Sequence, residues 1–379
     1  MMTNAGTKRI FISDIHMGDE RSQAGPNPYG WFHDNISHLA KFLTKQVNAP
    51  EVSEVVILGD LFDEWVIPTN QDPLTSFQDI YNNHNNDPVL DPLRQLAAEG
   101  ILFYVPGNHD MTLSTTNPAG NQQFLENTFP GIHYLADGVY RRGRLVAEHG
   151  HRYCLFNAAD TWTNLPSLLP LGYFISRMVA YKVSKTGERQ DYVDILRKFI
   201  KQTKDRPNFV KELYRAVAMY AGLKDTDPID MAGIDGFLKV TVGDIGSLYE
   251  KLIEKWKENR RDIKWGVALL NDGPSYLYPA ATHISSGTDH NIVIFGHTHH
   301  WDMLPLPFRG AAPQVEDIHL DLPCRAIYAN CGTWIDSTPS FPHPCTYVET
   351  QEDAAAGRHY VRVLSYPKKT VHLEWFVRL

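Results

Sequence analysis

The run Ile101-Leu102-Phe103-Tyr104-Val105-Pro106 ends in Gly107-Asn108-His109-Asp110. An apolar run that stops at a glycine and then presents an amide, an imidazole and a carboxylate is poorly suited to packing. It is well suited to holding a metal-bound phosphate, because ligands of α/β folds collect at the carboxyl ends of strands. Four other runs end in the same manner. Lys8 to Ser13 stops at Asp14-Ile15-His16, Val55 to Leu58 at Gly59-Asp60, Arg144 to Ala147 at Glu148-His149-Gly150-His151, and Asn291 to Phe295 at Gly296-His297-Thr298-His299.

Carboxylate, amide and imidazole donors form a borderline-hard set that suits Mn, Fe, Zn, Ni or Co better than Mg or Ca alone. Asp14, His16, Asp60, Asn108, His109, His149, His297 and His299 are donors enough for two divalent transition-metal ions, with Mn the first expectation. A carboxylate has two oxygens, so one Asp can serve both ions at the separation of roughly 3.5 to 4 Å found in two-metal hydrolases. Asp60 is the candidate bridge. A water between two cations loses a proton near neutral pH and becomes a nucleophile, while the cations neutralise the charge that develops on phosphorus.

Taken in order, Asp14-Ile15-His16, Gly59-Asp60, Gly107-Asn108-His109-Asp110, His149 and Gly296-His297-Thr298-His299 resemble the calcineurin-like metallophosphoesterases, whose pattern is DxH, GD, GNH(D/E), H and GHxH. Each piece alone is weak; the full series in order is specific, and it covers most of the chain outside a helical stretch described below. The resemblance implies an α/β fold, a four-layer α-β-β-α sandwich of two mixed sheets flanked by helices, with a large helical insertion. It implies that Asp14, His16, Asp60 and His299 hold one ion and that Asp60, Asn108, His149 and His297 hold the other. A metal-bridging hydroxide would then attack a phosphodiester or pyrophosphate bond. His109 would donate a hydrogen bond or proton on the leaving-group side, with Asp110 orienting it.

Within that family, Gly59-Asp60-Leu61-Phe62-Asp63-Glu64-Trp65, His149-Gly150-His151 and Tyr328-Ala329-Asn330-Cys331-Gly332-Thr333-Trp334 look like the branch that includes the UDP-2,3-diacylglucosamine diphosphatases, whose helical insertion accepts acyl chains. Two features depart from the branch: many of its members carry Arg where His109 stands, and the insertion here is much larger. The expected substrate is therefore a phosphate ester, small or lipid-linked. Asp63, Glu64 and Trp65 could orient ligands or line the pocket, although packing is the ordinary role of such a Trp. His151 and His300 could support the ligands, touch the substrate or be solvated.

Elements must bring these ends together. Residues from Trp31 to Val47 keep helical spacing through Phe32, Ile36, Leu39, Phe42 and Leu43, and a second amphipathic helix near Pro88 to Glu99 meets Gly100 where a C-cap belongs. Strand, helix, strand, helix, strand argues for parallel pairing with right-handed crossovers. After a helix near Gln122 to Thr128, His133 to Leu135 and Arg144 to Ala147 suggest short antiparallel strands. From about Leu155 to Ser286 the strand signal is lost. Tyr192, Ile195, Leu196, Phe199 and Ile200 make one helical face there, and Leu248, Leu252, Ile253 and Trp256 another. Strand signal returns at Asn291, with further runs at Arg325 to Ala329, Cys345 to Glu349, His359 to Leu364 and Val371 to Val377, expected to close the fold as a second half-sheet. The predicted organisation is thus a core first half over 1–154, a helical insertion over 155–286 and a core second half over 287–379.

Hydrophobic residues make up 43% of the chain, which suffices for a full core. The net charge of -8 argues against a general nucleic-acid binder. One locally basic stretch remains: Arg177, Lys182, Lys185, Arg189, Arg197, Lys198, Lys201, Lys204 and Arg206 follow the apolar segment Leu165 to Ala180. It would suit an amphiphilic phosphate or an anionic membrane surface, and equally an ordinary helical cap with solvated lysines. It also leaves open a nuclease or cyclic-nucleotide phosphodiesterase of the same family. A non-catalytic scaffold is the remaining alternative, although such chains usually lack a ligand. Met1 to Thr7 has no apolar signal core, no stretch reaches bilayer length, and Cys154, Cys324, Cys331 and Cys345 are too scattered for a disulfide framework. The expectation is a cytoplasmic chain, with peripheral contact to the inner face of a membrane through the insertion left open.

Overall fold

The computed structural model describes residues 7–113, 115, 117–164, 167–188, 198–201, 208–237, 239–259, 276–306 and 325–378. Strands β1 (Lys8–Ile12), β2 (Val52–Leu58), β3 (Leu102–Val105) and β4 (His133–Tyr134) lie parallel in that order. The helices Ile36–Val47, Asp87–Ala98 and Pro118–Thr128 make the crossovers between them.

Alternation along these strands builds two of the four layers, because successive side chains of a strand point to opposite faces. Ile10, Ile12, Val55, Ile57, Leu102 and Tyr104 face outward onto Leu39, Phe42, Leu43, Leu90 and Leu93 of the crossover helices. Phe11, Val56, Leu58, Phe103 and Val105 face inward, onto a second sheet. That sheet contains β5 (Val139–Arg142), β6 (Leu145–Glu148), β9 (Ile292–Phe295), β10 (Trp301–Pro305) and β11 (Ile327–Cys331) in the order β10-β11-β9-β6-β5; β7 and β8 pair elsewhere. Its inner residues Leu145, Ala147, Ile292, Ile294, Ile327 and Ala329 meet the first sheet. Its outer residues Val146, Val293 and Phe295 pack on Leu277, Ala280 and Ala281 at the helix Tyr278–Gly287. The result is helices, mixed sheet, mixed sheet and helix.

Two expectations about the strands need correction. The antiparallel partner of β6 is Val139–Arg142, while His133–Tyr134 runs parallel to β3 in the other sheet. The Asp137-Gly138 turn thus carries the chain from one sheet to the other, which a local pattern cannot distinguish from a hairpin. The last three strands, β12 (Thr346–Asp353), β13 (Arg358–Ser365) and β14 (Thr370–Arg378), do not complete the second sheet. They add antiparallel to the open side of β1 and extend the first sheet to seven strands.

Residues after Leu155 make a core of their own. Leu171, Phe174 and Met178 of helix Leu171–Thr186 pack with Leu213, Tyr214 and Val217 of helix Phe209–Tyr220, with Ile245 and Trp256 of helices Val242–Leu248 and Leu252–Asn259, and with Tyr249 between those two. A small hairpin, β7 (Pro228–Ile229) with β8 (Val240–Thr241), completes it. The apolar residues Leu171, Phe174, Ile175 and Met178 are all buried there, so they are cap core rather than an exposed face. Leu165, Tyr192, Ile195 and Leu196, and the basic residues Arg189, Arg197, Lys204 and Arg206, lie outside the described residues, as does Cys324.

Arg177 ties this cap to the rest. It is fully buried and donates to the carbonyl oxygens of Ile67 at 3.2 Å, Pro68 at 3.1 Å, Gln71 at 2.5 Å and Asp230 at 2.6 Å. An arginine keeps its charge, so its burial is tolerable because main-chain oxygens replace water. The loop it grips follows directly on Asp63-Glu64-Trp65.

Candidate functional site

β1, β2, β3, β6 and β9 end on the same side of the sandwich, and each is followed by one of the polar motifs. The turns there are tight and unusual. Among the described residues nine non-glycine positions have a left-handed backbone, and Asp14, His16, Asp60, His297 and His299 are five of them, with φ between 54° and 68°. Such conformations cost on the order of 1–3 kcal/mol each and persist where surrounding structure holds them. Gly59 explains part of the packing: at φ 76° a Cβ would stand 2.6 Å from the His149 ring and from Gly107 Cα.

Main-chain groups aim the two carboxylates. Asp14 accepts from His297 N through Oδ2 at 2.8 Å, which leaves Oδ1 3.2 Å from His299 Nε2 and 3.9 Å from His16 Nε2. Asp60 accepts from His109 N through Oδ1 at 2.8 Å, which leaves Oδ2 3.1 Å from His149 Nε2 and 3.7 Å from His16 Nε2. Asn108 presents Oδ1 3.0 Å from His149 Nε2. His149 Nδ1 faces the Leu58 carbonyl at 2.7 Å, so one proton belongs there and Nε2 is the atom turned toward Asp60 and Asn108.

Among the described residues two groups consist of candidate ligands alone, Asp14 with His16 and His299, and Asp60 with His149 and His297, while a third, His16 with Asp63 and His109, shares His16 with the first; the ligating atoms within each lie within 4.8 Å of one another. Their chemistry fits cations. Asp14 Oδ1 is buried with no hydrogen-bond donor, and the Nε2 atoms of His16 and His299 face each other at 3.1 Å, where at most one proton fits. Burial pushes against ionising Asp14, yet His299 and His149 hold it down to about 2. Burial opposes charge on His149, but Asp60 and Asp14 outweigh that and push it up to about 9. A proton on His149 thus supplies part of the positive charge that these buried carboxylates demand. His297, disfavoured by burial and by His149, is pushed down to about 3 and stays an uncharged donor.

His109 stands beside the first group rather than in it. Its ring is 4.5 Å from that of His16 and nearly perpendicular to it, and stacks on Trp65 at 4.4 Å and 28°. Its Nδ1 meets Asp63 Oδ1 at 2.9 Å, and Asp63 Oδ2 meets His16 Nδ1 at 3.1 Å. The carboxylate that orients His109 is therefore Asp63, not Asp110. Asp110 turns inward, where it accepts from Gly107 N at 2.6 Å, Leu61 N at 3.0 Å and the Tyr104 hydroxyl. Burial and the Asp60 charge push Asp110 up to about 6. It braces two motif loops and makes no contact with the imidazole beside it. Asp63 could be noticed in the sequence three residues after Asp60, but its double contact could not.

Trp65 performs both roles open to it, packing in the cap core and stacking on His109. Glu64 holds Thr112 N at 3.1 Å and Thr112 Oγ1 at 2.6 Å, away from the donors. His151 lies 5.4 Å from the His149 ring, with Nδ1 buried and unpartnered, while His300 packs on Phe341 at 4.9 Å. Sequence reasoning missed two residues. Asn157 places Nδ2 3.2 Å from His297 Nε2. Trp31, read as the start of a helix, precedes it; the helix begins at Ile36, and the indole lies 4.9 Å from His16 and 5.4 Å from His109. Asn35, a residue type favoured at a helix start, was the signal for that boundary, although its side chain binds the Trp334 and Ile335 carbonyls instead of capping the helix. A separate cavity of about 940 Å³ lies between Thr69-Asn70 and the cap hairpin, and no candidate ligand lines it.

A family model of calcineurin-like phosphoesterases matches residues 7–301, which span all five motifs. The chain belongs to that family. Among curated relatives, this calcineurin-like phosphoesterase is similar to the UDP-2,3-diacylglucosamine hydrolase of Actinobacillus succinogenes, 32% identical over 107 residues covering 28% of this chain and 35% of that protein. It is also similar to the protein of that name in Coxiella burnetii, 26% identical over 149 residues covering 38% and 47%. The match therefore spans about a third to a half of these relatives. Among solved structures, a purple acid phosphatase from yellow lupin gives TM-score 0.41 at 10% identity, covering 98% of this chain and 53% of that one. Vacuolar Protein Sorting 29 from Cryptosporidium parvum gives 0.33 at 10%, covering 99% and 100%. Among the described residues no helix is long and apolar enough to cross a membrane.

Proposed function

We propose that this calcineurin-like phosphoesterase is a dinuclear metal-dependent hydrolase of phosphodiester or pyrophosphate bonds. One observation carries the reading: Asp60 Oδ2 lies 3.1 Å from His149 Nε2 and 3.7 Å from His16 Nε2, so a single oxygen faces both donor groups. Asp14, His16, His299 and Asp60 would hold one ion, and Asp60, Asn108, His149 and His297 the other. Mn suits this mixture of imidazole, carboxylate and amide oxygen. When bound, such a pair supplies Lewis-acid stabilisation of phosphoryl oxygens and an acidified water.

The chain's own groups do the rest. Main-chain N–H groups of His297 and His109 hold one oxygen of each Asp, so the other is fixed before any ligand arrives. Asp63 fixes the Nδ1 side of His109 and leaves Nε2 to donate to a departing oxygen. Trp65 covers one face of that ring and excludes water from it. The names of the relatives favour a substrate with a nucleotide diphosphate linked to an acylated sugar. His109 in place of Arg distinguishes the leaving-group side from much of that branch.

The test is turnover of bis(p-nitrophenyl) phosphate by protein stripped of metal and reloaded with Mn, followed by a panel of lipid-linked, nucleotide and sugar pyrophosphates. Activity should depend on Mn and fall about 10²-fold or more in His109→Ala with metal content unchanged. Asp60→Asn should lose both activity and bound metal. Unchanged rates in both variants would remove the mechanism.

A further inference from the structure

We propose that Trp31 is a specificity-determining residue that stacks on a planar organic substituent of the substrate phosphate, an inference that rests on the metal centre proposed above. The indole stands over three imidazoles of the centre. Its ring centroid is 4.9 Å from His16, 5.4 Å from His109 and 5.9 Å from His299. His16 and His109 are buried beneath it, whereas Trp31 is only half-buried. Among the described residues it is a large aromatic group at this face of the centre that retains accessible surface. Trp65, on the other side of His109, is 1% exposed and has none left to offer.

The loop that presents Trp31 is firmly built. The Trp31 carbonyl accepts from Asp336 N at 2.8 Å. The Asp336 carboxylate in turn accepts from the main-chain N–H groups of His33 at 3.0 Å and Asp34 at 2.7 Å. The segment that supplies Asp336 also grips Asp14: Thr333 Oγ1 donates to the Asp14 carbonyl at 2.8 Å and Trp334 N donates to it at 3.1 Å. The indole is thus referenced to the same backbone that positions a candidate ligand. On its other side, Asn27 Nδ2 donates to Ser184 O of the cap helix at 3.2 Å, so the loop lies between the centre and the cap.

The chemistry of the side chain decides what it can recognise. Indole has a single N–H donor and no lone pair for a metal, and its π face repels an anionic phosphoryl group. It attracts a flat, weakly polar group such as an aryl ring or a nucleobase. Packing alone would be served as well by an aliphatic residue, and Trp31 does rest partly on the main core.

Phenyl phosphate and methyl phosphate carry the same charged group and differ in one planar substituent. Each is to be measured as a competitive inhibitor of bis(p-nitrophenyl) phosphate hydrolysis by Mn-loaded wild type, Trp31→Leu and Trp31→Phe, with metal content determined on the same samples. Trp31→Leu should weaken phenyl phosphate about tenfold and methyl phosphate less than about twofold, and Trp31→Phe should restore most of the loss. Equal weakening of both inhibitors, no weakening of either, or loss of metal from Trp31→Leu with retention in Trp31→Phe would overturn the assignment. Absence of turnover by the wild type would count against the hydrolase reading instead. The two phosphates would then be titrated by calorimetry, and their ratio judged in the same way.

Discussion

Asp63→Asn separates tautomer control from general disruption. Asp63 Oδ1 accepts from Trp65 N at 3.0 Å, Val66 N at 3.0 Å and His109 Nδ1 at 2.9 Å, while Oδ2 has His16 Nδ1 at 3.1 Å. An asparagine must keep its oxygen at the Oδ1 position, since its NH2 there would face two main-chain N–H groups. The NH2 then points at His16 Nδ1 and forces that nitrogen to accept. The His16 proton moves to Nε2, which lies 3.1 Å from His299 Nε2 and 3.7 Å from Asp60 Oδ2, and a protonated nitrogen cannot bind a cation. Loss of a partner that orients a ligand costs about 10–100-fold in metal affinity. Because here the tautomer itself is inverted, the upper end is expected, about 100-fold for one of the two ions. The backbone contacts survive, so the melting temperature of the metal-free protein should change little. Equilibrium dialysis against graded Mn, with metal counted per chain, is the assay. A variant that binds both ions within about threefold of the wild type would refute the tautomer argument.

Chelation should abolish turnover and lower the melting temperature, and both should return as Mn is titrated back, because a ligand bound only by the folded chain stabilises it by mass action; a melting temperature independent of Mn would speak against the centre. Arg177→Met should cost about 3–5 kcal/mol in denaturant unfolding by stranding four carbonyl oxygens, those of Ile67 and Pro68 buried, whereas Lys185→Met, in the last turn of the same helix, should cost under about 1 kcal/mol. His359 is buried opposite Glu352, and burial pushes it down to about 4. The unfolded chain then takes up a proton that the folded chain refuses, so stability is full above pH of about 6.5 and falls as pH drops toward 4, with about 2 kcal/mol lost at pH 5. His359→Leu should flatten that part of the stability profile, and an unchanged slope would disprove it.

The strand ends were legible because apolar runs stop abruptly at Gly or Asp, and the parallel order of β1, β2 and β3 followed from the helices between them. The position of β12 to β14 was not legible, since an alternating strand carries no record of which open edge it joins. Asp110 was misplaced for a related reason. Adjacency along the chain suggested contact with His109, whereas the turn at Gly107 sends the two side chains apart, and Asp63 reaches His109 from another strand end. Left-handed backbone at Asp14, His16, Asp60, His297 and His299 falls on residue types that adopt it more readily than most, but that preference is too weak to read from a sequence. Trp31 was hidden by its apolar neighbours, which continue a helical period past the true first turn.

The guanidinium of Arg177 limits how material can reach this centre. Swinging the cap away from the sandwich at Ile67, Pro68 and Gln71 would strip a permanent cation of three oxygens at once and tug on the stretch that keeps Asp63 beneath His109. A doorway on that flank would disarm the machinery each time it opened. A path along another flank would leave those oxygens on the guanidinium and Asp63 in place.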